Sequence, residues 1–255
     1  MSDIAHAARV GFGAAAEAYA RGRPDYPPEL IGWLREELCL GTGATAIDVG
    51  AGTGKFTSLL TRTGAAVVAV EPLEAMRAQL LAQLPDARVV AGTAQATGLP
   101  TGAADAVACA QSFHWFAEPR AVAEIHRVLR PAGRLGLVWN VRDETCGWVA
   151  AITDIVRPYE GDAPRFGTGE WRDALAGTLF SAPRETCFEY LHVGEPRHVI
   201  IDRTLSVSYV AALPAAQKAD VLRRLSELVA HHPDVRGRAT VAFPYRTHAY
   251  RLDRQ

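Results

Sequence analysis

Three glycines at alternate positions follow a short apolar run that contains one acidic residue. The run is residues 46–49, the acid is Asp48, and the glycines are Gly50, Gly52 and Gly54. Glycine suits positions where the backbone takes a positive φ or where a ligand must approach it closely. Residues 55–64 are then predicted as a helix. A strand, a glycine turn and a helix in this order are typical of the phosphate- or nucleoside-binding corner of a doubly wound α/β sheet.

The spacing of the glycines and the nearby acid narrow the choice of ligand. A dinucleotide-binding turn has the spacing GxGxxG because the pyrophosphate lies on the helix N-terminus, whereas this turn has GxGxG. Asp48 would repel a pyrophosphate and suits a ligand with positively charged groups. The phosphate-binding pattern GxxxxGK[ST] also fails, because Phe56 follows Lys55. A tight strand–helix turn without any ligand is the alternative.

A second acidic residue stands where a nucleoside-binding fold needs one. Residues 65–70 form a continuous apolar run, as a buried parallel strand requires, and Glu71 follows directly. Glu71 comes about 20 residues after the glycines, where a carboxylate can accept hydrogen bonds from both ribose hydroxyl groups. The alternative is that Glu71 only complements the N-terminus of the helix predicted over residues 73–84.

Residues 48–54 resemble the first motif of the class I S-adenosylmethionine-dependent methyltransferases, D/E-x-G-x-G-x-G, and match it without a gap. The resemblance implies S-adenosylmethionine as cofactor, S-adenosylhomocysteine as product, and the ribose-binding role for Glu71. Residues 19–27, 92–100 and 110–116 are similar to segments of a small-molecule branch with a type 11 methyltransferase domain, which includes trans-aconitate-type enzymes. Residues 127–140 resemble the family's helix-to-strand unit.

The same resemblance implies further contacts with the cofactor. Tyr19 and Arg23 would face its methionine end, where the guanidinium suits a carboxylate; the alternative for Arg23 is a surface position in a capping turn. Thr93 and Gln95 stand where the family often has acidic residues, which leaves backbone contact with the adenine edge. The predicted cofactor-binding set is Tyr19, Arg23, Asp48, Gly50, Gly52, Gly54, Glu71, Pro72, Met76, Thr93, Ala94 and Gln111.

The loop after the fourth predicted strand, residues 105–110, is expected to face the transferred methyl group, because ligands lie beyond the carboxyl ends of the strands. His114 could act there as a base or orient a substrate oxygen. Alternatively, His114 and Trp115 only form a pocket wall. Asn140, at the carboxyl end of the fifth predicted strand, is either a substrate ligand or part of an Asx turn.

These residues require an α/β fold that brings successive strand ends together. We predict a Rossmann-like doubly wound seven-stranded sheet, mostly parallel with an antiparallel last strand, in one domain over residues 1–255. Its predicted parts are an N-terminal helical cover (1–40), a cofactor-binding core (41–140), a lid insertion (141–185) and a C-terminal completion of the sheet (186–255). Four lid aromatics are predicted as pocket walls or lid core: Trp148, Tyr159, Phe166 and Trp171.

The composition is that of an ordinary globular protein, with 255 residues, 49% hydrophobic residues and a formal net charge of −1. The absence of a basic stripe argues against a nucleic-acid partner. Four separated cysteines without a CxxC pattern argue against a zinc site or a disulfide framework. We see no signal peptide or membrane span and no metal-ligand cluster, so we expect a cytoplasmic protein that needs no metal. The oligomeric state is left open.

The predicted function is therefore methyl transfer to a small molecule through an oxygen, nitrogen or carbon nucleophile. A carboxylate acceptor would need arginine partners, for which Arg142, Arg157 and Arg165 are candidates. A protein that binds S-adenosylmethionine for regulation or interaction, without turnover, is the alternative. A nicotinamide dehydrogenase is disfavoured by the glycine spacing and Asp48.

Overall fold

A single seven-stranded sheet is the centre of the computed structural model, which describes residues 23–177 and 179–255. The strand order is β3-β2-β1-β4-β5-β7-β6. Pairs β1–β2, β2–β3, β1–β4 and β4–β5 are parallel, and the last strand is antiparallel. The strands are β1 (Thr45–Val49), β2 (Ala66–Val70), β3 (Arg88–Val90), β4 (Ala104–Ala110), β5 (Leu129–Arg142), β6 (Arg184–Gly194) and β7 (Val241–Asp253). The predicted fold class is confirmed.

The strand order reverses between β1 and β4, which makes this point the topological switch of the sheet. Asp48 on β1 is in register with Ala69 on β2 and with Ala108 on β4. In open α/β sheets, ligands bind beyond the carboxyl ends of the strands at such a point. The fold therefore places the glycine turn, which follows Asp48, where a ligand is expected.

Helices connect the strands, and several short helical turns follow β5. The α-helices are α1 (Leu30–Glu37), α2 (Lys55–Thr61), α3 (Glu74–Gln83), α4 (Pro119–Val128), α5 (Gly147–Val156), α6 (Arg203–Leu205), α7 (Ser208–Ala211) and α8 (Ala215–His231). The 3₁₀ segments are Phe113–Trp115, Arg157–Tyr159, Phe166–Thr168 and Glu170–Leu175, and Arg197–Asp202 is a π-helix. No helix in the described part of the chain has the length and apolarity that a membrane crossing requires.

The boundary between α4 and β5 differs from the prediction. The sequence of residues 121–130 predicts a helix that stops at Pro131, but α4 ends at Val128 and β5 begins at Leu129. Leu129 is extended, with φ −75° and ψ 141°, and it is in register with Ala104 of β4. Proline disfavours helical backbone in the residue before it, so Arg130 favours an extended conformation. The strand pairing then draws Leu129 out of the helix as well.

Two further sequence patterns compare with the structure as follows. Pro244 predicts either an edge position or a bulge for the last strand; β7 lies between β5 and β6, so the edge position is wrong, and β6 is the edge strand. Val221, Leu222 and Leu225 recur at helical spacing in α8; of these, Leu222 is 38% exposed while Val221 and Leu225 are fully buried. The inward face of α8 is therefore narrower than its apolar pattern indicates.

The described chain divides into two compact units. The core unit comprises residues 26–139, 164–188 and 247–255, and the helical unit comprises residues 23–25, 140–163 and 189–246. In the helical unit, Trp148 is buried against Phe243, with ring centroids 4.9 Å apart. In the core unit, Trp171 is buried 4.7 Å from the Trp139 ring. Trp148 and Trp171 are thus packing residues, and the assignment of the whole chain to one domain stays a prediction.

Candidate functional site

The glycine turn is tied to the end of β2 by its own backbone. The N–H groups of Gly50 and Ala51 both donate to the carbonyl of Val70, at 2.9 and 3.2 Å. The next N–H group of the turn, that of Gly52, donates to Oε2 of Glu71 at 2.9 Å. Of the two acids that the sequence pattern singled out, Asp48 is therefore on β1 and Glu71 directly follows the adjacent strand β2, where it is hydrogen-bonded to the middle glycine.

Each of the three turn positions requires glycine for a different structural reason. All three have positive φ, +74° at Gly50, +58° at Gly52 and +88° at Gly54. A Cβ on Gly50 would lie 2.7 Å from Cβ of Ser112, and a Cβ on Gly54 would lie 2.7 Å from Cγ of Leu80. A Cβ on Gly52 would meet nothing within 4 Å. Gly50 and Gly54 are thus required by packing, whereas Gly52 borders open space beside a carboxylate.

Glu71 is held as a preorganised hydrogen-bond acceptor. Its side chain is only 5% exposed, Oε2 accepts the Gly52 N–H, and Oε1 accepts the N–H of Leu73 at 2.9 Å. Burial raises the pKa of Glu71 above its usual value, while these two N–H groups and the Arg77 guanidinium oppose the rise. Because a carboxylate offers about four acceptor sites, each oxygen can accept one more donor. Glu71 can therefore bind a pair of neighbouring hydroxyl groups.

Asp48 is buried beneath the turn. It is 1% exposed, and Oδ2 accepts the hydroxyl of Thr57 in α2 at 2.7 Å. Among the described residues, Oδ1 has no hydrogen-bond partner. Burial raises the pKa of Asp48 to about 7; Thr57 opposes the rise and the charge of Glu71 adds to it. Asp48 therefore joins the glycine turn to α2 and retains one buried polar atom available to a further group.

The raised pKa of Asp48 predicts a pH-dependent stability. An unfolded aspartate ionises near 3.8 and the folded one near 7, so the stabilisation is complete below pH 4 and is lost as the pH rises through 7. For this group the loss is about 4 kcal/mol. Asp48→Asn keeps an acceptor for Thr57 but does not ionise. Urea unfolding measures the free energy of unfolding at pH 5 and at pH 8. Relative to the wild type, Asp48→Asn should be more stable at pH 8 than it is at pH 5.

The wild type itself provides the reference for that measurement. Thr57→Val retains Asp48 but removes the hydrogen bond that opposes the rise in its pKa, so this variant should lose overall stability and show a pH dependence at least as steep as that of the wild type. Parallel pH dependences of the unfolding free energy in wild type and Asp48→Asn would show that Asp48 ionises normally in the folded protein.

The loop after β4 packs on the glycine turn. Gln111 has a φ of +55°, unusual for a residue with a side chain, and its N–H donates to the Val138 carbonyl at 2.8 Å. The hydroxyl of Ser112 donates to the Val49 carbonyl at 2.8 Å. Ser112 was not identified from the sequence, although its place directly after a strand end was the available signal. The bend at Gln111 turns the following residues, including His114, away from the strand.

His114 has one ring nitrogen with a defined role. The indole N–H of Trp139, on β5, donates to Nδ1 of His114 at 3.0 Å, and Trp139 is 1% exposed. An indole nitrogen can only donate, so Nδ1 is the acceptor and the neutral ring carries its proton on Nε2. His114 is half-buried, as is its neighbour Trp115, whose ring lies 5.0 Å away. The geometry favours His114 as a hydrogen-bond donor through Nε2.

The predicted adenine-binding residues lie at the ends of β2 and β3. The Glu71 N–H donates to the Val90 carbonyl at 3.1 Å, which places the two strand ends side by side. A tight turn follows β3, in which Thr93 and Ala96 exchange backbone hydrogen bonds of 3.1 Å. Ala94 and Met76 are buried, at 5% and 3% exposure, and Pro72 is half-buried. Met76 is therefore packed within the core unit.

The remaining predicted residues belong to the helical unit or lie outside the described residues. Tyr19 lies outside them. The Arg23 guanidinium donates to the Ser206 carbonyl at 3.3 Å, and the amide of Asn140 donates to the Asp25 carbonyl at 2.9 Å. Arg157 forms an exposed ion pair with Asp154, at 3.0 Å. No cluster of His, Cys, Asp and Glu suited to a metal ion occurs within residues 23–177 and 179–255.

The fold and the site together define a class of α/β proteins that bind a nucleoside at the switch point of the sheet. Residues 47–137 match the methyltransferase domain family. An uncharacterized methyltransferase of Mycobacterium tuberculosis is 40% identical over 238 residues, 93% of each chain. An uncharacterized methyltransferase-like protein of Schizosaccharomyces pombe is 33% identical, again over 93% of each chain. The chain therefore belongs to the methyltransferase family.

Solved structures agree with this assignment. A candidate type II methyltransferase from Anaeromyxobacter dehalogenans has a TM-score of 0.66 and 26% identity, and the match covers 91% of this chain and 97% of that one. The likeness therefore extends well beyond the glycine turn. The resemblance seen in residues 48–54 is confirmed at the level of the family, while the trans-aconitate-type branch stays a prediction.

Proposed function

We propose that this protein transfers the methyl group of S-adenosylmethionine to a small-molecule acceptor. The observation that carries the proposal is the bond between Glu71 and Gly52. A buried carboxylate with acceptor capacity stands beside the one turn glycine whose missing Cβ borders open space. Membership in the methyltransferase family supports the same conclusion.

The residues present fit the nucleoside part of this cofactor. Glu71 would accept the two ribose hydroxyl groups, and Gly52 would leave room for the ligand next to the backbone. The unpartnered Oδ1 of Asp48 offers an acceptor beneath the turn. Pro72, Met76, Thr93 and Ala94 would border the adenine, and Gln111 the methionine part. Arg23 and Tyr19 are assigned to the methionine carboxylate by the resemblance alone.

The chemistry demands little from the protein beyond alignment and exclusion of water. When bound, the cofactor supplies a methyl group attached to a positively charged sulfur. The acceptor forms a bond to the methyl carbon while the carbon–sulfur bond breaks, and the sulfur keeps the electron pair of that bond. The protein holds the acceptor in line, which removes much of the entropic cost. It also keeps competing water away. Proton loss from an oxygen or nitrogen acceptor accompanies the transfer.

We assign His114 an orienting role in this reaction. Trp139 fixes Nδ1 as an acceptor, so Nε2–H is the group offered to an acceptor oxygen. His114→Asn keeps an acceptor near the position of Nδ1 and loses Nε2. A single hydrogen bond is worth about 1 kcal/mol, so kcat should fall about fivefold with unchanged affinity for S-adenosylhomocysteine. A base would contribute about 100- to 10,000-fold, so a loss of that size would contradict the orienting role.

The proposal is tested by following a labelled methyl group. Purified protein is incubated with S-adenosylmethionine carrying a tritiated methyl group and with fractionated cell extract. We expect label in the small-molecule fraction, and we expect Glu71→Ala to abolish it. Label confined to protein or nucleic acid would contradict the small-molecule acceptor. Binding of S-adenosylmethionine without any transfer would instead favour a regulatory or interaction protein.

A further inference from the structure

The helical unit contains an arginine that the sequence did not single out. Arg203 is only 7% exposed, although arginine is among the residues that are rarely buried without a partner. Its Nε donates to the hydroxyl of Tyr245 at 3.0 Å, and its guanidinium carbon lies 5.9 Å from the centre of that ring. Within the described residues, its two terminal nitrogens have no hydrogen-bonded acceptor and no carboxylate as ion-pair partner. A cation in this position is stabilised when an anion binds it.

The surroundings of Arg203 are cationic and polar. Arg142, at the carboxyl end of β5, acts with Arg203 on the hydroxyl of Tyr209, where both oppose the rise that burial causes in its pKa. Glu160 is the opposing charge, and its Oε1 accepts the Tyr209 hydroxyl at 3.3 Å. Arg142 and Arg203 thus both lie near the Tyr209 hydroxyl, whose hydrogen-bond acceptor is Glu160.

The local backbone is also unusual. Arg203 follows directly on the π-helix Arg197–Asp202, and π-helical turns are rare and frequent at functional sites. Buried polar residues continue beyond it, with Thr204 at 2%, Ser206 at 6% and Ser208 at 5% exposure. The Ser206 hydroxyl donates to the Arg203 carbonyl at 2.7 Å, which fixes the turn. A run of buried polar side chains therefore follows Arg203 along the helical unit.

We infer that Arg203, assisted by Arg142, binds a carboxylate group of a small organic acid. The free edge of a guanidinium whose Nε is occupied presents two parallel N–H donors, which match the two oxygens of a carboxylate. The Tyr245 hydroxyl holds Nε in place, and the Tyr245 ring lies beside the guanidinium. Arg142 stands at the carboxyl end of a strand, the end at which ligands bind in open α/β sheets. This carboxylate site belongs to the helical unit and does not depend on the proposed function.

The test uses benzoate as the probe carboxylate, with benzamide as its neutral counterpart and inorganic phosphate as the competing anion. Ligand-observed NMR on the full chain should detect benzoate, with at least tenfold weaker binding of benzamide and of phosphate. Arg203→Gln should weaken benzoate binding at least tenfold, and Arg203→Lys should recover part of it. Arg246→Gln is the matched control, since Arg246 is an exposed arginine on the strand that carries Tyr245.

Each remaining outcome decides the inference. Equal binding of benzoate and benzamide, tighter binding of phosphate, no benzoate binding, or an unchanged Arg203→Gln variant would overturn it. Circular dichroism and calorimetry with S-adenosylhomocysteine on the same samples monitor the fold and the proposed function. If the wild type binds benzoate but does not bind S-adenosylhomocysteine, the proposed function is contradicted while the carboxylate site is supported.

Discussion

Replacing Glu71 with alanine is expected to weaken the binding of S-adenosylhomocysteine by about 100- to 1000-fold. The substitution removes both acceptors for the ribose hydroxyl groups, and hydrogen bonds to a charged group are each worth about 1.5–3 kcal/mol. It also leaves the N–H groups of Gly52 and Leu73 without their acceptor, which loosens the turn. Calorimetric titration of the purified variant measures the effect directly, since every 1.4 kcal/mol is about tenfold in affinity.

A matched control separates this effect from a general loss of acidic charge. Glu74 lies three residues further on, is exposed, and stands in the first turn of α3. Glu74→Ala should bind S-adenosylhomocysteine as the wild type does. If Glu71→Ala retains wild-type affinity while remaining folded, the ribose assignment is wrong.

An alanine at Gly52 is expected mainly to weaken ligand binding, whereas an alanine at Gly54 is expected mainly to destabilise the fold. Both positions have positive φ, so each alanine costs about 1–2 kcal/mol in backbone strain. At Gly54 the new methyl group lies 2.7 Å from Leu80, and overpacking adds about 1–3 kcal/mol to the loss of stability. At Gly52 the methyl group enters open space, the space that we assign to the ligand. Gly52→Ala should therefore bind S-adenosylhomocysteine at least tenfold more weakly than the wild type does. Its loss of stability should be smaller than that of Gly54→Ala.

The two glycine variants act as controls for each other because the strain is common to both. Urea unfolding compares their stabilities, and calorimetry with S-adenosylhomocysteine compares their affinities. Gly54→Ala, where folded, should retain more affinity than Gly52→Ala. The reverse pattern, with Gly52→Ala binding normally, would place the ligand elsewhere.

Local sequence patterns were sufficient to predict β1, β2 and β4 because these strands are short, apolar and largely buried. The start of β5 was misplaced because pairing of Leu129 with Ala104 overrides the helical periodicity that precedes it. The position of β7 depends on which strands pair, so the proline rule that suggested an edge strand did not apply. Such long-range pairing is not encoded in local periodicity.

In the candidate site, too, the local patterns could be predicted from the sequence and the long-range contacts could not. Glycine spacing and the following acid identified Gly52 and Glu71, because a strand–turn–helix unit is a local pattern. The contacts made by Thr57 and Ser112 come from residues 9 and 63 positions away from their partners, and only the folded chain reveals them. Trp139 meets His114 because β5 lies beside β4. Arg203 escaped notice because burial of a single arginine in an irregular helical segment has no sequence signature.

The central claim is that the glycine turn and Glu71 form a binding site for S-adenosylmethionine and its demethylated product. Calorimetric titration of the purified full chain with S-adenosylhomocysteine tests it most directly. We predict saturable binding at one site per chain, lost on exchange of Glu71 and retained on exchange of Glu74. A folded protein that binds neither S-adenosylhomocysteine nor S-adenosylmethionine would contradict the claim.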